Sequence, residues 1–224
     1  MFTSYIKKTF YLFVFICFSC AVPVAHAGSF DDFFTAISQD DDTRIQVLLA
    51  RGFDPNTVDA TGSSGLLLAL KTSAMKAAAT LVAWPGTKVE VRNAADESPL
   101  MFAALKGELA LCQTLIKKGA DVNKPGWAPL HYAATNGHLE VMNLLLEEYA
   151  YIDAASPNGT TPLMMAAQYG TESAVKLLLE AGADPMLKND QGLSAIDFAN
   201  LASSTESANV IAAFVRGRQP KGTW

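Results

Sequence analysis

The chain has 224 residues, and its 17 lysines and arginines against 22 acidic residues give a formal net charge of −5. A surface of this sign is a poor match for nucleic acid or for an anionic membrane. Beyond residue 27 the sequence contains no G-x-S-x-G, H-E-x-x-H, C-x-x-C or phosphate-binding glycine loop. It therefore indicates a protein that is not an enzyme, with no catalytic residues, no metal site and no cofactor.

The first 27 residues have the pattern of a secretory signal peptide. Lys7 and Lys8 precede the apolar run "TFYLFVFICFSCAVPVA", and Ala25-His26-Ala27 supplies small residues for cleavage. An uncleaved anchor and a lipoprotein signal at Cys20 are the alternatives, but Pro23 interrupts the apolar run and Cys17 occupies the position where a lipoprotein signal has an aliphatic residue. Cleavage after Ala27 predicts a periplasmic or secreted protein that is not inserted in a membrane.

Cleavage would remove two lysines and no acid, which changes the formal charge from −5 to −7. Of the three cysteines only Cys112 would remain, so the mature chain could form no internal disulfide. Cys112 lies in the apolar helical run "ELALCQTLI". This context favours a small buried hydrophobic residue over a redox role.

From residue 31 onwards a seven-residue pattern recurs along the chain. It begins as "DDFFTAI" and "SGLLLAL", becomes "SPLMFAA", "APLHYAA" and "TPLMMAA", and ends as "SAIDFAN". The successive steps are 33, 34, 30, 33 and 33 residues. Closing segments such as "LIKKGADVN" follow at a constant distance. A fixed period of this size is the signature of a repeat architecture.

Each period predicts two helices. A proline such as Pro129 suits a first helical turn, and Asn136-Gly137 breaks that helix. "HLEVMNLLLEE" then places apolar residues at helical spacing. One such pair cannot cover its own apolar face, so neighbouring units must stack. The sequence predicts an all-α solenoid, with capping units where the pattern is degenerate at both ends.

The motif T-P-L-H-x-A-A, a glycine turn and the ending L-L-x-x-G-A-D-x-N together resemble the ankyrin-repeat family. The similarity covers about residues 28–216. It implies a solenoid of about six helix-turn-helix units with short hairpin loops. The predicted units are 28–57, 58–91, 92–124, 125–155, 156–188 and 189–216, followed by a tail at 217–224.

The two histidines beyond residue 27 are His131 and His138, seven residues apart with Glu140 close by. They look like a metal or acid/base site, but Gly137 places them in different helices. Sister units have unrelated residues at both positions. We therefore expect both histidines to be structural. The run Asp40-Asp41-Asp42 is similarly expected to begin a helix and not to bind a cation.

Ankyrin proteins bind protein partners through a concave surface, so the resemblance implies a binding surface made of hairpin loops and first-helix ends. Trp127 and Tyr169 are the first choices for anchors, because aromatic side chains bury much area at small entropic cost. Glu97 and Lys106 are expected at the rim. The other matching positions are Leu105, Thr135, Asn136, Gln168, Thr160, Leu193, Lys71, Thr72 and Ser63.

The loop before Pro129 departs from the repeat. It is three residues shorter than its sisters, so we expect its hairpin to be reduced to a notch with Trp127 beside it. Trp127 is either a binding anchor or a residue that covers helix ends. Trp84, beside an insertion at Pro85-Gly86, is expected to be a packing residue.

The sequence thus predicts a monomeric bacterial module, in the periplasm, that binds a protein partner of unknown identity. The resemblance to exported ankyrin proteins that are paired with catalases implies oxidative-stress defence as one candidate process. Two alternatives remain open: a secreted effector that binds host proteins, and an envelope scaffold that holds several proteins.

Overall fold

Helices account for nearly all of the regular structure in the computed structural model, which describes the backbone of residues 24–218 and the side chains of residues 28–218. The predicted signal peptide up to residue 23 and the tail beyond residue 218 lie outside the described residues. Twelve helices form in residues 24–218: α1 (Val24–Ser38), α2 (Asp42–Ala50), α3 (Gly65–Lys71), α4 (Met75–Ala83), α5 (Pro99–Lys106), α6 (Leu109–Lys117), α7 (Pro129–Asn136), α8 (Leu139–Glu147), α9 (Pro162–Tyr169), α10 (Glu172–Ala181), α11 (Ala195–Leu201) and α12 (Thr205–Arg218).

These helices form six antiparallel pairs, which confirms the predicted all-α solenoid. The only β-type pairing within residues 24–218 is a single bridge between Val58 and Ser64. Two bounds differ from the sequence analysis. Helix α1 begins at Val24, upstream of the predicted first unit, and α12 continues to Arg218, past the predicted end of the last one.

The first helix of each central pair begins as the repeated proline predicts. Pro99, Pro129 and Pro162 are the first residues of α5, α7 and α9, where their missing N–H groups leave no hydrogen bond unmade. The hydroxyl of Thr161 caps α9 by accepting from the backbone N–H of Met164. The threonine-proline pair therefore acts as a helix start signal.

Units stack helix on helix. Helix α7 packs between α5 and α9, and α8 lies between α6 and α10. Paired alanines make the close approach of the first helices possible, and all of them are at most 1% exposed: Ala103, Ala104, Ala133, Ala134, Ala166 and Ala167. Because each apolar face is covered by its neighbour, the core is continuous along the stack.

A ladder of side chains ties the closing segments of successive units together. Asn56 Oδ1 accepts from the backbone N–H of Lys88 at 2.8 Å, and Glu90 Oε2 accepts from that of Asp121 at 3.0 Å. In the same way Asn123 accepts from Tyr151 N–H at 2.7 Å and Asp153 from Asp184 N–H at 3.1 Å. The ladder fixes the register of one unit on the next.

The first unit ends the stack with aromatic residues, as expected for a capping unit. The Phe33 ring is fully buried and packs against the rings of Phe34 and Phe53, with centroids 5.2 and 4.7 Å apart. Asp41 caps α2 by accepting from Arg44 N–H, and Asp42 is the first residue of that helix. The acidic run therefore begins a helix, as predicted.

Candidate partner-binding surface

His131 is part of the scaffold. Its side chain is 1% exposed, Nδ1 accepts from the backbone N–H of Ala128 at 3.1 Å, and Nε2–H donates to the carbonyl of Thr160 at 3.0 Å. This arrangement requires the neutral ring. Burial lowers the His131 pKa below its usual value, although the hydrogen bonds to Thr160 and Ala128 oppose that shift.

His138 connects the fourth unit to the third. Its Nε2 lies 2.9 Å from the carbonyl oxygen of Leu105. The ring also covers Gly107, so closely that a Cβ there would lie 2.5 Å from Nδ1. Both histidines are therefore structural, as the sequence analysis predicted. Within residues 24–218 no cluster of three or more His, Cys, Asp or Glu side chains has the arrangement of a metal site.

Cys112 is a fully buried free thiol, as predicted. Burial raises its pKa to about 12, and the charge of Glu108 adds to that shift. The protonated thiol is a poor nucleophile. Cys112 therefore belongs to the packing of α6.

Four of the five inter-unit loops share one hairpin. In each, the backbone N–H of a first residue donates to the carbonyl four positions later, as from Asn189 to Leu193 at 3.0 Å. The side-chain oxygen of the first residue also accepts from the backbone of the turn, and these residues are Asp59, Asn93, Ser156 and Asn189. Glycines with φ near +76° stand at the fourth position of three hairpins, whereas Asp96 stands there in the second, with φ of 59°.

The remaining loop, residues 123–128, is the third in chain order. It has none of these hairpin bonds among its described residues, which confirms the predicted notch. Lys124 replaces them. Its ammonium donates to the carbonyls of Pro125 and Trp127 at 3.1 and 3.0 Å. It also pairs with Asp96 Oδ2 at 2.5 Å, although the Lys124 side chain is only 2% exposed. A buried lysine thus holds the short loop to the hairpin of the preceding unit.

Asp96 is shared by a wider ion network. Arg92 contacts Asp96 at 3.2 Å, Glu90 at 2.8 Å and Asp121 at 3.1 Å. Lys124 and, after it, Arg92 lower the Asp96 pKa below its usual value. The network therefore keeps Asp96 ionised, and it links two consecutive loops beside the notch.

An apolar cavity of about 220 Å³ opens beside Trp127. Its wall comes from the short loop and from three consecutive first helices, and it consists of Leu105, Trp127, His131, Tyr132, Thr135 and Met165. The Trp127 ring is half-buried and meets the His131 ring edge-on, with centroids 5.2 Å apart. The partly buried hydrophobic residues packed against the core include Trp84, as expected, but not Trp127.

The cavity brings together three of the predicted binding residues: Trp127, Leu105 and Thr135. Sequence reasoning missed Tyr132 and Met165, because nothing in the repeat motif separates them from ordinary packing residues. The Tyr132 hydroxyl lies 3.5 Å from Glu97 Oε1, and burial together with the Glu97 charge raises the Tyr132 pKa to about 12. Glu97 therefore lies beside the cavity.

The other predicted binding residues are spread over the first-helix surface, by which we mean the exposed face of α3, α5, α7, α9 and α11 with the loops before them. Tyr169 is 59% exposed, and the Lys106 ammonium donates to the hydroxyl of Ser73 at 2.6 Å. Asn136, Lys71 and Thr72 are exposed, and Gln168 and Leu193 are half-buried.

The prediction that Thr160 belongs to the binding surface is wrong. Thr160 is only 2% exposed, because its backbone closes the hairpin of residues 156–160 and its carbonyl accepts from His131. The sequence alignment placed Thr160 at a variable loop position, but the hairpin turns this side chain inward. Thr160 is therefore part of the scaffold and not of the binding surface.

This arrangement of stacked helix pairs with inter-unit hairpins defines a helical-repeat protein. A family profile described as "Ankyrin repeats (3 copies)" matches residues 33–125, 78–156, 123–189 and 152–213. The chain belongs to the ankyrin-repeat family.

Similar solved structures support this assignment. An ankyrin repeat domain from Acinetobacter baumannii has a TM-score of 0.68 and 26% identity, covering 82% of this chain and 97% of that one. A chain in the structure of a predatory endopeptidase from Bdellovibrio bacteriovorus in complex with an immunity protein has a TM-score of 0.70 and 28% identity, covering 81% and 97%.

Among curated proteins, the mouse ankyrin repeat and SAM domain-containing protein 6 is 36% identical over 126 residues, which are 52% of this chain and 14% of that protein. The chain spans less than a quarter of the length of the curated relatives it matches. Among residues 24–218, no helix is long and apolar enough to cross a membrane.

Ankyrin repeats are protein-interaction modules, and the repeat itself carries no catalytic machinery. Within this chain, the short loop with its buried Lys124 departs from the repeated hairpin, and the cavity opens beside Trp127 in that loop.

Proposed function

We propose that this protein is a monomeric, non-catalytic module of the bacterial periplasm that captures a partner protein on its first-helix surface. The cavity beside Trp127 is the observation that carries the proposal. One apolar side chain of the partner enters this cavity, and Tyr169, Glu97 and Lys106 contact the partner around it.

The size of the cavity supports a side chain as its occupant. At about 220 Å³ it is smaller than the ~300–1,000 Å³ typical of small-molecule sites. Its wall is mainly apolar, which favours an aliphatic or aromatic group. The ammonium of Lys124 holds the short loop through the carbonyl of Trp127. The part of the cavity wall that Trp127 contributes is therefore formed before the partner binds.

A structural relative supports a protein as the partner. The Bdellovibrio bacteriovorus structure that resembles this chain is a complex between an endopeptidase and an immunity protein. By analogy the partner of this chain is a second protein. Catalase is the candidate that follows from the oxidative-stress hypothesis, whereas a host protein follows from the effector alternative.

Capture from native periplasm tests the proposal. Wild-type protein and a Trp127→Ala variant serve as baits, and mass spectrometry identifies the proteins that elute. We expect one stoichiometric partner whose affinity falls by roughly 30-fold or more in the variant, as for a hot-spot residue. The melting temperature should change little, since Trp127 is outside the packed core.

Trp84→Ala is the matched control. Trp84 packs against the core, so its removal should lower the melting temperature while the folded fraction still binds. A Trp127→Ala variant that binds normally but melts much earlier would show that Trp127 is a packing residue. Several partners held at once would favour the envelope scaffold, and recovery of the native protein outside the cell would favour the secreted effector.

A further inference from the structure

Tyr149 occupies a backbone position that its sister units give to glycine. Its φ is 62°, while Gly52, Gly119 and Gly182 have φ of 92°, 94° and 109° at the same place. A bulky residue in this left-handed region is unusual because its Cβ crowds the backbone. The four other non-glycine residues with positive φ in residues 24–218 are all Asp or Ser.

The Tyr149 side chain does not compensate by packing. It is 84% exposed, and Tyr151, two residues later, is 69% exposed. The backbone between them is nevertheless fixed. Asn123 Nδ2 donates to the Tyr149 carbonyl at 2.8 Å, and Asn123 Oδ1 accepts from Tyr151 N–H at 2.7 Å. Two aromatic rings are therefore held in solvent on a rigid support.

A second unfavourable choice stands beside the first. Helix α8 ends with Glu147, followed by Glu148, and has no basic residue in its last turn. A helix C-terminus carries partial negative charge, so acidic residues there are destabilising. At the corresponding place α6 ends with Lys117, followed by Lys118, which suit that charge. Helix α10 also lacks a basic residue there, but it has one carboxylate, Glu180, where α8 has two. No salt bridge within residues 24–218 involves Glu147 or Glu148.

Two local rules are thus broken within three residues, at the same exposed corner. Local choices that oppose stability concentrate at functional positions. The chemistry of this corner selects its ligand. Two carboxylates and a helix C-terminus create negative potential, and tyrosine ring faces attract cations, most often the guanidinium of arginine.

We propose that four residues, here called the Tyr149 patch, form a second interaction surface that binds arginine side chains of a partner protein. They are Glu147, Glu148, Tyr149 and Tyr151. The Tyr149 patch lies at the C-terminal end of a second helix and shares no residue with the cavity wall on the first-helix surface. It is independent of the function proposed for that cavity. The partner is a protein with an exposed basic segment. Because this segment pairs with the carboxylates of Glu147 and Glu148, the binding is sensitive to salt.

A peptide titration followed by NMR tests the proposal. The probes are a capped Gly-Arg-Gly-Arg-Gly peptide and its citrulline counterpart, which keeps the shape but not the charge. We expect the arginine peptide alone to shift the amide resonances of residues 147–151. Tyr149→Gly should reduce the affinity about two- to fivefold, and the pair Glu147→Gln and Glu148→Gln should reduce both the affinity and its salt dependence.

The Tyr149→Gly variant has a second readout that separates binding from structure. Glycine relieves the left-handed strain, so the melting temperature should rise by about 2–4 °C while binding is lost. Glu180→Gln, near the end of α10 where Gly182 follows, is the matched control and should bind normally. Trp127→Ala should also bind the peptide normally. A failure of this proposal would therefore not count against the proposed function, and a failure of the proposed function would not count against this proposal.

Three results would overturn the inference. The first is equal binding of the citrulline peptide, or shifts confined to other residues. The second is a Tyr149→Gly variant that keeps full affinity, or that melts earlier than wild type. The third is a concentration-dependent dimer that Tyr149→Gly abolishes, because the occupant of the Tyr149 patch would then be a second copy of this chain.

Discussion

At the scale of single residues, one position of the repeat shows how different side chains do the same work. The third residue of a first helix accepts a hydrogen bond from the N–H of the residue that precedes the helix. Met101 and Met164 do so with sulfur, at 3.2 and 3.4 Å. Asp197 uses a carboxylate oxygen at 2.8 Å and His131 uses Nδ1 at 3.1 Å. Only the histidine makes this contact dependent on pH near neutrality.

His131 should therefore give the fold a specific pH dependence. Its folded pKa is lowered by burial, whereas the unfolded ring has a pKa of about 6.5. Below about pH 6.5 the unfolded chain binds a proton that the folded chain refuses, so stability is complete above that pH and is lost as the pH falls toward the folded pKa. The free energy of unfolding should fall by up to ~1.4 kcal/mol per pH unit in this window.

His131→Met isolates the effect, because methionine is the residue that sister units use. Denaturant unfolding at pH 7 and at pH 5.5 should show a loss for wild type that is about 1 kcal/mol greater than the loss for the variant. Carboxylates titrate mainly near pH 4 and contribute little in this window. An identical pH dependence in the two proteins would mean that His131 is not the titrating group.

At the scale of elements, the loop before α7 depends on one lysine. Lys124→Met would leave the carbonyls of Pro125 and Trp127 without this donor and Asp96 without this cation. The two hydrogen bonds are part-buried and come from a charged donor, a kind that contributes about 1.5–3 kcal/mol; because water can reach the carbonyls and replace part of this, the loss should be about 1–3 kcal/mol. The half-exposed Asp96 adds little because water screens it. We expect the free energy of unfolding, measured in urea, to fall by that amount.

Lys176→Met is the control for the loop experiment. The Lys176 side chain is 65% exposed and its pair with Glu180 is 3.8 Å long, so its loss should cost less than about 0.5 kcal/mol. If both variants lost the same stability, the buried ammonium of Lys124 would have no special role in the loop.

The period of the sequence predicted the helix pairs because prolines, alanines and turn glycines act locally. The notch also followed from counting residues in the loop. The burial of Lys124 could not be predicted in this way, since lysine is rarely buried and its partner Asp96 lies far away in the sequence, in the preceding hairpin. The cavity was only partly predicted. Trp127 and Leu105 stand out in the sequence, whereas Tyr132 and Met165 look like ordinary packing residues of their helices.

At the scale of the whole molecule, stability depends on how closely consecutive units approach. Gly170, between α9 and α10, lies where a Cβ would overlap the carbonyl oxygen of Ala134 in the preceding unit and stand 2.9 Å from that of Ala166. Its φ of −87° lies outside the left-handed region that favours glycine, so these close contacts are the main cost of an alanine there. The backbone oxygen cannot move without separating two units.

Gly170→Ala should therefore weaken one interface and not one helix. We expect a loss of about 1–3 kcal/mol, and, because each unit contacts only its neighbours, a loss of coupling between the units before and after Gly170. Hydrogen exchange should show protection falling first in α9 to α12. The control is Gly217→Ala in α12, where no atom lies within 4 Å of the added Cβ; it should be neutral or stabilising by up to about 1 kcal/mol. A Gly170→Ala variant that unfolded in one transition at the wild-type midpoint would show that this approach of units does not limit stability.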